Sequence, residues 1–152
     1  MPKISIRRYQ SSNQKALVEI FKNYIPSDFA PDEIHDFTNH LANHGHTYFC
    51  FEADHRIIGG IGYQLTHDDS IGRIKWILFN PKFAGKGLGS QAVKYCLSEL
   101  LSKTTASKSV ITTSQLAYRF FEKFGFRLLK TEKDFWGKGL DLYQLEMDLV
   151  RK

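Results

Sequence analysis

Ala84-Gly85-Lys86-Gly87-Leu88-Gly89-Ser90 stands between two very different stretches of sequence, and it limits the chain more than any other segment. Before it runs Ile71–Phe79, apolar and β-prone, closed by Asn80-Pro81. After it, Leu88, Ala92, Val93, Cys96, Leu97, Leu100 and Leu101 recur at helical spacing and make one wide stripe. The segment therefore joins a strand to a long helix. Its glycines let the backbone turn sharply, and the first N–H groups of the helix lack intrahelical partners. Together with the helix dipole, which puts roughly half a positive charge at that end, they form a place for an anion. Lys82 and Lys86 strengthen the field. The physics specifies a phosphate or diphosphate without saying whose.

The rest of the chain fills in around this junction. Residues 3–9 read as a strand. Ser11 or Ser12 is placed to cap a helix whose apolar positions are Ala16, Leu17, Ile20, Phe21 and Tyr24, ending before Pro26. Pro31-Asp32-Glu33 opens a second helix and Gly45 closes it. Strand-like runs follow at Thr47–Ala53, Arg56–Leu65 and Ile71–Phe79, with connections short enough for antiparallel hairpins. After the long helix come a short buried strand, Ser109–Thr112, and a helix, Ser114–Phe124, stopped by Gly125. Strands at Phe126–Thr131 and Leu140–Leu149 finish the chain, with a turn at residues 136–141. The order β-α-α-β-β-β-α-β-α-β-β predicts an α/β protein of the α+β kind, with a mixed sheet covered by helices. No linker or repeat divides residues 1–152, so one domain is expected.

Composition narrows the function classes. Cys50 and Cys96 both lie in apolar runs and suit buried free thiols rather than a disulfide framework. The N-terminus has no apolar signal core, and no apolar run approaches the ~20 residues needed to span a bilayer, so a cytoplasmic protein without membrane partner is expected. The overall charge of +5 is unevenly spread. Residues 23–69 carry one basic side chain, Arg56, against eight acids, whereas residues 70–138 carry thirteen basic side chains against four acids. One stretch suits an anion and the other a cation. The basic residues form no readable nucleic-acid motif, and the acidic block would repel phosphate, which argues against a nucleic-acid partner.

The glycine loop admits several readings. A Walker A loop fails, because Gly85-Lys86 is followed by Gly87 and the opening glycine is missing. Gly87-Leu88-Gly89-Ser90-Gln91-Ala92 matches the relaxed dinucleotide pattern, but Lys108–Thr112 lacks the ribose-binding acid and the match follows an antiparallel meander. A turn that binds nothing is the remaining residue-level alternative. Ala84-Gly85-Lys86-Gly87-Leu88-Gly89 also resembles the pyrophosphate-binding motif of the GNAT superfamily of acyl-CoA-dependent N-acyltransferases. Ser114-Gln115-Leu116-Ala117-Tyr118-Arg119-Phe120-Phe121-Glu122-Lys123-Phe124-Gly125-Phe126 is similar to that superfamily's second signature helix, and the element order agrees over nearly all of the chain.

The resemblance implies an N-acetyltransferase with acetyl-CoA as co-substrate and no metal. It implies two central parallel strands that splay around the pantetheine arm, held by backbone groups of Ile77, Leu78 and Phe79. Ala84, Gly85, Lys86, Gly87, Leu88, Gly89 and Ser90 would hold the pyrophosphate, with Ser114, Ala117 and Phe121 on the opposite wall. Residues 136–141 would lie near the acceptor entrance. The chain departs from the pattern at Ala84 and Ser114, where the family favours Arg or Gln and Asn. Lys75 stands where many relatives place a glutamate base, and Phe121 where many place a tyrosine acid.

Tyr118, one turn before Phe121, is the substitute candidate for the acid. The alternative to an enzyme is a CoA- or nucleotide-binding module without the usual acid and base. His40 and His44 have the spacing of helical metal ligands, but no cysteine pair or HExxH accompanies them, so His35, His40, His44 and His46 read as solvated surface histidines, any one of which could instead serve as a base near the substrate. The expected acceptor is a primary amine on a small molecule or peptide. Asp28, Asp32, Glu33 and Asp36 favour a cationic one, and a homodimer stays open.

Overall fold

The computed structural model describes residues 3–25 and 28–151. Strands β1 (Ile4–Arg8), β2 (Tyr48–Ala53), β3 (Arg56–Leu65), β4 (Ile71–Phe79), β5 (Lys108–Thr113), β6 (Arg127–Gly137) and β7 (Leu140–Asp148) form one sheet, ordered β1-β2-β3-β4-β5-β7-β6. Helices α1 (Gln14–Lys22), α2 (Glu33–His44), α3 (Leu88–Lys103) and α4 (Tyr118–Glu122) cover it. Only β4 and β5 pair in parallel, as the long strand–helix–strand crossover requires.

The two faces of the sheet are buried separately. On one, Phe51, Ile61 and Ile74 pack with Val93, Cys96 and Leu100 of α3 and with Phe121. On the other, Leu17, Ile20 and Phe21 of α1 and Phe37 and Leu41 of α2 pack over Tyr48, Cys50 and Leu78. The apolar spacing of each helix thus ends against a sheet face.

Several boundaries differ from those predicted. Neither Ser11 nor Ser12 caps α1. They lie in a 3-10 turn, Ser11–Asn13, where Asn13 Oδ1 accepts the N–H of Gln10 at 2.9 Å. Tyr24 lies beyond the end of α1 in a turn, its N–H donating to Phe21 O at 2.9 Å, and the predicted stop at Pro26 falls outside the described residues. Gly45 closes α2 in a right-handed conformation, and Thr47 belongs to the following 3-10 turn, so the predicted strand begins at Tyr48.

The predicted helix at Ser114–Phe124 shortens to five residues, Tyr118–Glu122. Residues 115–117 form a turn leading into it, capped by Ser114. Its hydroxyl accepts from Leu116 N–H at 3.2 Å, and its carbonyl accepts from Ala117 and Tyr118, each at 3.1 Å. Gly125, at φ 103°, ends the helix region as expected. Strand β6 runs to Gly137, well past Thr131, because register shifts between Leu128 and Lys130 and between Glu132 and Gly137 let it stay paired with β7.

Candidate active site

The parallel pairing of β4 with β5 stops at Ile74↔Ile111. Beyond it, β4 continues beside β3, with Gly60↔Leu78 and Gly59↔Phe79, while β5 continues beside β7, with Thr112↔Gln144 and Thr113↔Tyr143. The central strands therefore part, and the edge of β4 from Lys75 to Phe79 has no strand on its β5 side. The register shift of β3 between Gly60 and Gly62 lies opposite this point, and Trp76 there has φ 57°, uncommon for a bulky residue. Tyr48 holds the irregularity, its buried hydroxyl donating to Trp76 O at 2.7 Å. A Cβ at Gly60 or Gly62 would sit 2.5 Å from the Tyr48 ring, so both positions need glycine to admit that ring.

A cavity of about 520 Å³ fills the space between the parted strands and α2. One wall is Ile77, Ile111, Thr112, Thr113, Ser114, Ala117 and Phe121. The other is Asp28, Glu33, Asp36, His40 and His44, with Lys75 and Trp76 between them. Trp136 closes one side, its indole N–H donating to Thr113 O at 3.0 Å. Gln115 ties the β6–β7 turn to this wall, donating to Gly139 O at 2.6 Å and accepting from Asp141 N–H at 2.9 Å. The 136–141 segment expected near an acceptor entrance thus borders the cavity through Trp136.

Of the other residues singled out in the sequence, Leu78 points away from this space, buried against α1 and α2. Phe79 packs its ring edge-on against Phe51, and its backbone N–H and carbonyl both engage the Tyr24 hydroxyl. Tyr118 does not line the cavity. Its ring lies tilted against that of Tyr143, centroids 4.6 Å apart, with the Arg119 guanidinium 5.3 Å from its own centroid. Phe121 does line it, and is itself 2% exposed, so the position of the usual tyrosine acid is filled by a ring with no proton to give.

The glycine loop lies at the N-terminus of α3, beside the cavity's lining rather than in it. Gly85 and Gly87 adopt φ 77° and 76°, a left-handed conformation that favours glycine. A Cβ at either would meet open space, so conformation rather than crowding sets the need. None of residues 85–90 donates its N–H to another backbone group among the described residues, which leaves a row of donors at a helix start. Gly89 is different: a Cβ there would approach the Phe120 ring to 3.2 Å, so it permits close packing of α3 on the 117–124 segment. Glycines, free donors and parted strands fit a diphosphate followed by an extended amide-bearing arm. Ala84 offers no side-chain contact.

The second wall holds what the sequence hid. His40 is 6% exposed rather than a solvated surface residue, and its Nε2 has no hydrogen-bond partner among the described residues. Burial, then Lys75, His44 and His46, push its pKa down to about 4, so the ring is neutral at pH 7. His44 lies half-buried with its ring 5.2 Å away, while His35 and His46 are exposed. Among the described residues no third ligand joins the pair to hold a metal.

Glu33 is 7% exposed, and its Oε2 accepts the N–H of Ala30 at 2.7 Å. Burial raises its pKa; the Ala30 bond opposes this, and Asp36 and Asp32 add to the rise. Lys75 is half-buried with its pKa lowered by burial and then Arg73, while Asp36 opposes. Glu33, Phe37, His40 and Leu41 share the buried stripe of α2. Their spacing is the signal that would have separated His40 and Glu33 from the solvated residues. Tyr24, Phe29 and Trp76 carried no such mark, being indistinguishable from core aromatics.

Both thiols are buried, and burial is the main reason each pKa rises, that of Cys50 to about 12. Among the described residues no helix is long and apolar enough to cross a membrane.

The architecture is similar to that of solved acetyltransferases. An N-acetyltransferase from Staphylococcus aureus Mu50 superposes with a TM-score of 0.78 at 19% identity, covering 97% of this chain and 99% of the other. Ard1 from Thermoplasma volcanium gives 0.83 at 14% identity, covering 97% and 99%. An aminoglycoside 6'-N-acetyltransferase complexed with coenzyme A gives 0.80 at 12% identity, covering 97% and 98%. At these identities the likeness is one of fold. No curated protein matches the chain significantly in sequence. The model of the Acetyltransferase (GNAT) family matches residues 15–126, most of the chain, and with the parted strands and the glycine loop in place this chain belongs to the GNAT acetyltransferase family.

Proposed function

We propose that the protein transfers an acetyl group from acetyl-CoA to a primary amine by direct attack in a ternary complex. The observation that carries this is one continuous cavity, with parted strands and their free β4 edge on one wall and three carboxylates on the other. Acetyl-CoA, when bound, supplies an acetyl thioester whose thiol leaves adequately on its own.

The residues 85–90 bind the diphosphate through backbone N–H groups, with Lys86 adding charge. The β4 edge orients the pantetheine arm and offers a backbone donor to the thioester carbonyl. One preorganised donor of that kind is worth roughly 3 kcal/mol. Asp28, Glu33 and Asp36 draw the acceptor's ammonium group in, and Glu33, its pKa already raised, takes the proton directly or through water. Phe121 and Ile77 exclude water. Phe121 gives the departing thiolate no proton, and with a pKa near ~8.5 that thiolate leaves at a useful rate without one.

An acyl-cysteine route is disfavoured, since both thiols are buried and held protonated. Cys50→Ala and Cys96→Ala are each expected to keep transfer activity.

The competing reading, a CoA-binding module without turnover, draws on Phe121 and Lys75 standing where an acid and a base are usual. Thiol release from acetyl-CoA across a panel of amines separates the two. Calorimetric binding of acetyl-CoA without release for any amine would replace the enzyme with the module, and absence of binding would overturn both.

A further inference from the structure

The cavity already contains a primary amine. Lys75 lines it as the first residue of the free β4 edge, just after the last parallel pair Ile74↔Ile111 and one residue before the left-handed Trp76. The side chain is half-buried and makes no hydrogen bond or ion pair among the described residues, unlike Lys108, which meets Glu146 at 3.4 Å, or Lys22, which meets Glu19 at 3.3 Å. The carboxylates across the cavity act on it only at a distance. Asp36, His40 and His44 of α2 and Arg73 of β4 are the charged and titratable groups whose fields reach it.

We propose that Lys75 is a self-acetylation site: an internal acceptor placed at the thioester mouth, modified from acetyl-CoA when no amine substrate occupies the cavity. This rests on acetyl-CoA being the donor. A glutamate at this position can only take up a proton, whereas a lysine's flexible four-carbon stem ends in a nucleophile. Two features favour the neutral, reactive form. Burial strips water from the ammonium, and Arg73 repels it, so the amine gives up its proton more readily than an exposed lysine.

In the step itself, the Nζ lone pair forms a bond to the thioester carbonyl carbon and the C–S bond breaks. Coenzyme A leaves as the thiolate, and the proton shed by Nζ passes through water or Glu33 to that thiolate. No oxidant or reductant takes part. The product is a neutral acetyl-lysine, which removes a positive charge from a cavity that Asp28, Glu33 and Asp36 also line and leaves it more attractive to a cation.

The test is to incubate the full-length protein with acetyl-CoA and no added amine, mapping acetylated peptides by mass spectrometry over time. Acetylation at Lys75 is expected to outpace that at exposed Lys103 and Lys133, which lie outside the proposed site, by about tenfold or more, the proximity advantage of a positioned amine. Unfolding the protein in urea should erase the preference, and Lys75→Arg should lack the fast site while its other lysines react as before. If calorimetry detects acetyl-CoA binding yet Lys75 stays unmodified, or reacts no faster than Lys103 and Lys133, the proposal is wrong while the proposed function stands. If acetyl-CoA does not bind at all, the donor assignment falls and this inference falls with it.

Discussion

The hydroxyl of Tyr24 accepts the N–H of Phe79 at 3.4 Å and donates to the carbonyl oxygen of the same residue. Both backbone groups lie on the β4 edge that no strand covers on its β5 side, so a side chain occupies donors and acceptors that an extended ligand would otherwise use.

Tyr24→Phe frees those groups. One hydrogen bond of this kind contributes about 0.5–1.5 kcal/mol in net terms, so for one bond regained by the arm acetyl-CoA affinity is expected to rise by roughly twofold to tenfold. Calorimetry on the two proteins decides it; weaker binding by the phenylalanine variant would mean that the hydroxyl positions the arm instead of competing with it.

At Gly87, φ 76° is the constraint and the surrounding space is open. Gly87→Glu should place a non-glycine residue in left-handed backbone at a cost of about 1–2 kcal/mol and set a carboxylate beside the diphosphate. Acetyl-CoA binding is expected to be lost while the fold survives. An unchanged dissociation constant in a protein with normal circular dichroism would remove the loop from the site.

His40 links stability to pH. Its folded pKa of about 4 lies below the ordinary value of ~6.5, so the unfolded chain binds the extra proton first as pH falls. The sign follows: the neutral ring's contribution is complete above about pH 6.5 and is lost progressively between there and about 4, at most about 3 kcal/mol. Urea unfolding at pH 7 and pH 5 should show a drop that His40→Phe reduces. Equal pH sensitivity in the variant would place the titrating group elsewhere.

Three of the four acids expected from the sequence to form an acceptor wall, Asp28, Glu33 and Asp36, line the cavity, while Asp32 is exposed and does not. Asp36→Asn is expected to raise KM for cationic acceptors several-fold with little change in kcat, whereas Glu33→Gln should lower kcat. Added salt should weaken kcat/KM for cations, since the Debye length is only ~8 Å at physiological ionic strength. Best substrates that are neutral or anionic, with no salt effect, would leave the acidic wall without a role in recognition.

The sequence by itself determined the order of elements, because periodicity and turn residues are local: the first five strand runs, the α1 and α3 stripes and the strand–glycine loop–helix junction read correctly within a few residues, while β6 ran on to Gly137. The sharp turn before α3 was legible for the same reason, since left-handed glycines followed by a helix start are a local arrangement. What only the tertiary structure decided was which side chains share a cavity. Tyr24 reaches Phe79 and Glu33 faces Ile77 across long stretches of chain, and His40 became neutral only because α2 packs it against the sheet. Residues 115–117, read as helix from the sequence, form a turn after β5 in which Ser114 accepts from the N–H groups of Leu116, Ala117 and Tyr118. Burial and proximity between distant segments set those outcomes, and a linear pattern of residue types carries neither until the sheet brings the segments together.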